Sequence, residues 1–112
     1  YGLHKLYESQ YKQIEESIDE IAERIGKLGE NTIGTMKEFT EFATIKEHAG
    51  TYTNSKDSLG ELLSDHQIVI VELRKNIEDS AEKNKDAGTV DFLTGLLEQH
   101  ETMAWILRRY LN

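Results

Sequence analysis

The chain has 112 residues, of which 30% are charged, and a formal net charge of −8. It contains no cysteine, which excludes a disulfide framework and a thiolate metal site, and no apolar run approaches the roughly 20 residues of a membrane span. These features are typical of one soluble helical domain, here residues 1–112, in a reducing compartment, and the cytoplasm is the simplest location.

Apolar residues near the start of the chain recur alternately four and three positions apart, which is the pattern of a bundle helix. They are Tyr7, Tyr11, Ile14, Ile18, Ile21, Ile25 and Leu28. Gly29 is a natural C-terminal stop for this first helix. The sequence opens on Tyr1 rather than on methionine, and no capping residue precedes the first repeat, so we expect further natural residues upstream.

A long connection is predicted between Glu30 and Asn54, because this segment contains glycines and only one short helical signal. That signal is the capping box formed by Thr35 and Glu38, which predicts a short helix over about Thr35 to Ala43. Some helix bundles contain long crossing connections of this kind.

A second capping box, Ser58 with Glu61, predicts the start of another long helix, which ends near Asn84. Its predicted buried stripe consists of Leu59, Leu63, Ile70, Leu73 and Ile77. Three more apolar residues widen that stripe and predict two buried faces: Ile68, Val69 and Val71.

A short turn over residues 85–88 leads into the last predicted helix. Its helical repeat comprises Leu93, Leu96, Leu97, His100, Met103, Ala104, Leu107 and Leu111. Three long helices and one short helix result, and the wide apolar faces of the last two suit a fourth long partner.

Two pairs of metal-ligand side chains lie four residues apart on the first helix, His4 with Glu8 and Asp19 with Glu23. This spacing places both members of a pair on one helix face. The pairs are separated by roughly 22 Å at about 1.5 Å per residue, whereas metal–ligand bonds measure about 2.0–2.2 Å. One helix therefore cannot bind a single ion with both pairs, but two copies crossing antiparallel at their midpoints would bring unlike pairs together.

Spacing alone does not establish a metal site, because such pairs are common on solvated helix surfaces. The Glu-x-x-His motif with which some helix bundles bind metal in their core is absent: Ser64 lies three residues after Glu61, and Glu101 lies three after Glu98. Any metal site formed by the two pairs is therefore expected at a dimer interface.

Two segments, Leu3-His4-Lys5-Leu6-Tyr7-Glu8 and Ile18-Asp19-Glu20-Ile21-Ala22-Glu23-Arg24, resemble the inter-subunit ferroxidase segment of Dps-type miniferritins (DNA-binding proteins from starved cells). Three later segments resemble the same family in the same order: residues 34–39, 88–94 and 103–111. The chain departs from the family at Glu8, where aspartate is common, and by lacking the first helix with its histidine ligand. The resemblance implies an all-α, ferritin-like four-helix bundle whose first bundle helix is absent from this N-terminally truncated chain.

The resemblance also implies a ferroxidase. Fe(II) would be bound by His4 and Glu8 of one subunit and by Asp19 and Glu23 of another, and oxidised preferentially by hydrogen peroxide. The ferric product would be stored inside a shell of twelve subunits, which protects DNA from oxidative damage. The ligand types alone also suit zinc, cobalt or manganese.

The resemblance places an acidic iron-entry pore at the last turn, lined by Glu82, Asp86 and Asp91. Clustered carboxylates concentrate cations, although helix capping is the alternative role of Asp86 and Asp91. Trp105 resembles a family tryptophan near the iron centre and is a candidate electron donor, with a buried core tryptophan as the favoured alternative.

The remaining histidines carry weaker signals. His66 and His100 lie on apolar stripes and are predicted to be core or interface residues with hydrogen-bond partners, whereas His48 gives no signal.

Direct DNA binding receives little support from this segment, because a charge of −8 repels phosphate and Arg108 with Arg109 does not form a basic patch. A basic N-terminal arm, and with it a nucleoid location, is left open. Two alternatives remain: a DNA-condensing nucleoid protein with secondary iron chemistry, and a metal-free helical adaptor bundle.

Overall fold

The computed structural model describes residues 2–48, 50, 52 and 54–112, and its regular structure there is entirely helical. The chain divides into two compact units, Tyr1–Thr44 and Ile45–Asn112. The first contains α1 and α2, and the second contains α3 and α4. Their bounds are Gly2–Lys27 (α1), Met36–Phe42 (α2), Ser55–Glu82 (α3) and Ala87–Leu111 (α4). The prediction of an all-α chain with three long helices and one short helix is confirmed, and none of the helices over the described residues is long and apolar enough to span a bilayer.

Helix α1 ends at the predicted glycine. Gly29 has a φ of +88°, a left-handed backbone that glycine adopts without steric cost. The Glu30 N–H donates to the Ile25 carbonyl at 3.1 Å, and the Gly29 N–H donates to the Gly26 carbonyl at 3.0 Å. These two bonds form a Schellman motif, which satisfies carbonyls that the end of a helix leaves without partners.

The apolar stripe of α1 is only partly covered. Tyr11, Ile18 and Leu28 are each more than half exposed, at 55%, 58% and 51%. The buried residues of α1 are instead Leu6, Gln10 and Ser17. At about 100° per residue the buried side lies roughly a quarter turn from the stripe. The expectation that the stripe faces a bundle core is therefore wrong for several of its members in this chain.

Helix α2 begins at the predicted capping box. The Thr35 hydroxyl accepts from the Glu38 N–H at 3.2 Å, and a Glu38 carboxylate oxygen accepts from the Thr35 N–H at 3.1 Å. The Gly34 N–H, and then the hydroxyl and N–H of Thr35, lower the pKa of Glu38 by hydrogen bonding to its carboxylate. The first turn of this short helix is therefore stabilised locally, as the sequence predicts.

In the second unit, α3 and α4 pack against each other across the short segment 83–86 and form a helical hairpin. The buried apolar side chains all belong to the predicted stripes: Leu59, Ile70 and Leu73 on α3, and Leu96, Met103, Ala104 and Leu107 on α4. The hydrophobic core of this unit was therefore predictable from helical periodicity.

Two predictions about α3 are wrong. The N-cap is Asn54 rather than Ser58, because the Asn54 side chain accepts from the Asp57 N–H at 3.0 Å and starts the helix one turn earlier. Ile68 and Val71 are exposed at 45% and 65%, since they project from the side of α3 opposite Ile70 and its buried neighbours. In this chain α3 therefore buries one face.

Candidate metal centre on helix α1

The first predicted ligand pair forms a contact near the start of α1. The Nε2 atom of His4 lies 3.6 Å from the Oε2 atom of Glu8, one helical turn further along. Both side chains are accessible, with exposed fractions of 78% for His4 and 41% for Glu8. Two donor atoms of different chemistry therefore face one another at the surface of this helix.

Lys12 contacts the other oxygen of the Glu8 carboxylate. Its Nζ atom donates to Glu8 Oε1 at 2.9 Å. The hydrogen bond and then the positive charge of Lys12 lower the pKa of Glu8, to which His4 adds a smaller effect. Glu8 is therefore ionised at neutral pH and is shared between an imidazole and an ammonium group.

The separation of His4 Nε2 and Glu8 Oε2 fits a first-row metal ion. With bonds of about 2.0–2.2 Å to each donor, a gap of 3.6 Å corresponds to a ligand–ion–ligand angle of roughly 120°. A small side-chain rotation would bring this angle to the tetrahedral value. Imidazole nitrogen and carboxylate oxygen together suit iron, zinc, cobalt and manganese.

The second predicted pair, Asp19 and Glu23, lies on the same unbroken helix and is exposed. Its distance from the first pair is roughly 22 Å along the axis, as the helical rise requires. No group of three or more His, Asp or Glu side chains that could hold one ion occurs within the described part of this single chain. The structure therefore brings together His4 with Glu8 but does not bring either of them to Asp19 and Glu23 of the same copy.

The three carboxylates assigned to a pore lie around the turn between α3 and α4. Glu82 is the last residue of α3, Asp86 is the N-cap of α4 and Asp91 is exposed in the second turn. Asp86 accepts from both the N–H and the hydroxyl of Thr89, the former at 3.1 Å, so its capping role is confirmed. Asp91 makes no such bond and lines a surface cavity of about 540 Å³. The pore role of the three carboxylates stays a prediction.

Comparison with known proteins places the chain in a family. A profile described as the ferritin-like domain matches residues 1–112. "DNA protection during starvation protein 2" of Bacillus anthracis is 37% identical over 113 residues, which cover all of this chain and 75% of that protein. The Dps structure from Thermosynechococcus elongatus superposes with a TM-score of 0.91 at 29% identity, over 98% of this chain and 69% of that chain. The chain belongs to the Dps-type miniferritins of the ferritin-like family.

Other relatives of this miniferritin extend beyond the segment that it shares with them. An uncharacterized low temperature-induced protein of Nostoc sp. is 44% identical over 111 residues, which are 99% of this chain but 62% of that protein. A Dps structure from Vibrio cholerae, described as a member of a broad superfamily of ferritin-like diiron-carboxylate proteins, has a TM-score of 0.89 at 27% identity. The match covers 68% of the Vibrio cholerae chain. The miniferritin chain thus spans somewhat under two thirds of the Nostoc relative.

Trp105 of the miniferritin is exposed rather than part of the core. It retains 49% of its accessible surface, and the Arg109 guanidinium lies 5.1 Å from its ring centroid, within the range of a cation–π contact. The expectation of a buried tryptophan is wrong because Trp105 projects from the side of α4 opposite Met103 and Leu107. Its candidate role as an electron donor stays a prediction.

The prediction that His66 and His100 are core or interface residues with hydrogen-bond partners is confirmed. His66 is 3% exposed, and its Nδ1 atom lies 2.9 Å from the Nδ1 atom of His100, so one ring donates a hydrogen bond and the other accepts it. Burial, and then the charge of His100, lower the pKa of His66 to about 4, and burial also lowers the pKa of His100. This pair is therefore neutral at physiological pH.

Sequence reasoning missed two contacts. His48 Nε2 lies 2.8 Å from Glu61 Oε1, a contact between the long connection and α3 that no local pattern signals. The ion pair of Glu8 and Lys12 does have a sequence signal, since a glutamate four residues before a lysine is the favourable order on a helix. Lys12 therefore belongs to the candidate centre together with His4 and Glu8.

Proposed function

We propose that this miniferritin oxidises Fe(II) at sites shared between subunits and stores the ferric product in a dodecameric shell, which protects DNA from iron-driven oxidation. Hydrogen peroxide is the preferred oxidant. His4 and Glu8 of one subunit and Asp19 and Glu23 of another are the ligands. The protein acts in the cytoplasm, as a single ferritin-like domain in each subunit.

The observation that carries this proposal is the 3.6 Å approach of His4 Nε2 and Glu8 Oε2 on α1. It supplies half of a coordination shell in a geometry that suits a first-row ion. Asp19 and Glu23 lie fifteen residues further along the same helix. An antiparallel second copy centred between the pairs would add both carboxylates to the same ion and complete a four-ligand site.

The exposed stripe of α1 supports this pairing. Tyr11 and Ile18 lie between the two ligand pairs and are 55% and 58% exposed. Apolar surface of this kind is buried favourably at about 25 cal/mol per Å² when a partner covers it. A second α1 helix crossing at this position would cover it and align the two half-sites at the same time.

The chemistry follows from the ligand set. Carboxylates and an imidazole bind ferrous ion, the substrate, and the negative charge they provide also favours the ferric product. Two Fe(II) ions each give one electron to one peroxide molecule, whose O–O bond breaks. Water supplies the remaining oxygen of the ferric oxyhydroxide and releases protons. Glu82, Asp86 and Asp91 would attract Fe(II) toward the shell before this step.

The test compares iron oxidation by the full natural protein and by Asp19→Ala/Glu23→Ala. The absorbance of the ferric product is followed after peroxide is added to anaerobic Fe(II), and again with dioxygen alone. We expect the double variant to lose at least about tenfold in the initial rate, because two ligands of each site are removed. Peroxide should outpace dioxygen in the parent.

A matched control is Glu16→Ala/Glu20→Ala, which removes two exposed carboxylates with the same spacing on the same helix. It should oxidise iron at the parental rate, and native mass spectrometry should give a twelve-subunit particle for all three proteins. An unchanged rate in Asp19→Ala/Glu23→Ala would refute the ligand assignment. A monomer inert to Fe(II) would indicate the metal-free adaptor, and salt-sensitive retention of DNA would indicate the DNA-condensing alternative.

A further inference from the structure

The carboxylate of Glu8 has two competing partners on α1. Its Oε2 atom faces His4 Nε2 at 3.6 Å, whereas its Oε1 atom accepts a hydrogen bond from Lys12 Nζ at 2.9 Å. The ammonium contact is therefore the shorter of the two. An ion that binds between His4 and Glu8 meets a carboxylate that already has a cationic partner.

We propose that Lys12 is a positioning residue that competes with the metal ion for Glu8. It keeps the affinity of the His4 and Glu8 pair for iron low enough for the ion to leave after oxidation. This inference rests on the proposed function, because it assigns a role to Lys12 at that same site. Iron is a substrate there, and a ligand set that held ferric ion permanently would stop turnover.

The position of Lys12 makes the competition direct. Its side chain lines the same surface cavity as His4 and Glu8, a space of about 440 Å³. A divalent cation in that cavity and the ammonium group repel each other, so binding displaces Lys12 or leaves it close to a like charge. Either result lowers the affinity for the metal ion. The return of Lys12 to Glu8 then favours release.

Glu15 offers the displaced ammonium a second partner. It lies three residues beyond Lys12, on a neighbouring position of the helix surface. Oppositely charged side chains three or four positions apart on a helix attract each other, so both Glu8 and Glu15 attract this group. Four methylene groups give Lys12 the reach to exchange between them. The exchange needs no movement of the α1 backbone.

The second ligand pair provides a matched control. Glu23 precedes Lys27 by four residues, the same order and spacing as Glu8 and Lys12. The structure nevertheless records no Glu23–Lys27 ion pair, both residues being among those described. Lys27→Gln therefore removes the same charge from the same helix without breaking an ion pair to a ligand.

The experiment titrates the assembled full-length protein with Zn(II), which binds the same donor types without redox chemistry. Affinity is measured by competition with a chelator for the parent, Lys12→Gln, Lys12→Arg and Lys27→Gln. We expect Lys12→Gln to bind Zn(II) roughly two- to fivefold more tightly, the range of an exposed ion pair, and the gain to shrink in high salt. Lys12→Arg should restore the parental affinity, and Lys27→Gln should lie closer to the parent than Lys12→Gln.

A double-mutant cycle with Glu8→Gln decides whether the effect passes through the carboxylate. Lys12→Gln should have no further effect on Zn(II) affinity in the Glu8→Gln background. Equal affinity in the parent and Lys12→Gln, or a gain that persists without Glu8, overturns the role of Lys12 while the proposed function stands. If the parent binds no Zn(II), or if Asp19→Ala/Glu23→Ala binds it as the parent does, the shared site itself is refuted.

Discussion

Acid should destabilise this protein through the buried pair of His66 and His100. The two Nδ1 atoms, 2.9 Å apart, share one hydrogen bond, and His66 is 3% exposed. Adding a proton places a charge in an apolar helix–helix contact between α3 and α4, where hydration is lost. The unfolded chain has no such penalty. Its His66 is protonated near the ordinary pKa of 6.5, whereas in the fold the pKa of this residue is about 4.

The sign and the magnitude follow from linkage. Between pH 6.5 and pH 4 the unfolded state holds more protons than the folded state, so the free energy of unfolding falls as the pH is lowered. At about 1.4 kcal/mol per pKa unit, the full effect of His66 is about 3 kcal/mol, of which about 2 kcal/mol is lost between pH 7.5 and pH 5. The contribution is fully present above pH 6.5.

The assay is urea unfolding at pH 7.5 and pH 5, at fixed ionic strength and subunit concentration, because assembly also contributes to stability. The parent should lose about 2 kcal/mol more than His66→Asn over this interval. His48→Asn, which removes an accessible histidine, should keep the parental loss within about 0.5 kcal/mol. If His66→Asn is as sensitive to acid as the parent, protonation of the buried pair is not the cause and the reasoning is refuted.

Two further predictions concern stability of the hairpin and are checked by the same urea unfolding at pH 7.5. Leu107→Ala should lower the free energy of unfolding by about 2–5 kcal/mol, because Leu107 is fully buried. Val71→Ala, on the exposed side of α3, should lower it far less. Equal losses for the two variants would contradict the assigned core. Asp86→Ala should cost about 1 kcal/mol through loss of the N-cap, whereas Asp91→Ala should change stability by less than about 0.5 kcal/mol. Equal losses for the two aspartates would argue against capping by Asp86.

Features governed by neighbours in the sequence were predictable. The capping box of Thr35 and Glu38 and the stop at Gly29 each depend on atoms within one or two helical turns, and both are confirmed. The start of α3 shows the limit of this reasoning. Asn54 and Ser58 are both good N-caps, and the earlier one prevails because the residues between them continue a helix with Asp57 in its first turn.

Periodicity predicts which residues share a face but not what covers that face. Ile70 and Leu107 are buried because α3 and α4 supply a partner for each other. Ile18 on α1 and Trp105 on α4 also lie on amphipathic helices, yet about half or more of each side chain is exposed in the single chain. Tertiary and subunit contacts decide burial at such positions, and a sequence pattern contains no information about a partner's surface.

The contacts of the candidate site that lie on one helix were predictable, and the contact between separate segments was not. Spacing on one helix predicts His4 beside Glu8, and the structure adds the 3.6 Å separation. The ion pair of Glu8 with Lys12 follows from the same i,i+4 rule, although an ammonium group is not itself a metal ligand. The contact of His48 with Glu61 was not predictable, since it depends on the path of a connection that contains few helical signals.

Burial rather than residue type distinguishes the histidines that can bind a metal ion from those that cannot. His4 is 78% exposed and faces a carboxylate that is ionised at neutral pH, so it can take a cation without breaking a buried contact. His66 is as good a ligand chemically, but its Nδ1 atom already bonds to His100 inside the helix–helix contact. Binding an ion there would require separating α3 from α4 and burying its charge, which is costly without paired carboxylates. One histidine of the chain therefore joins two helices, and another stays accessible at the surface of α1, where the proposed iron site requires it.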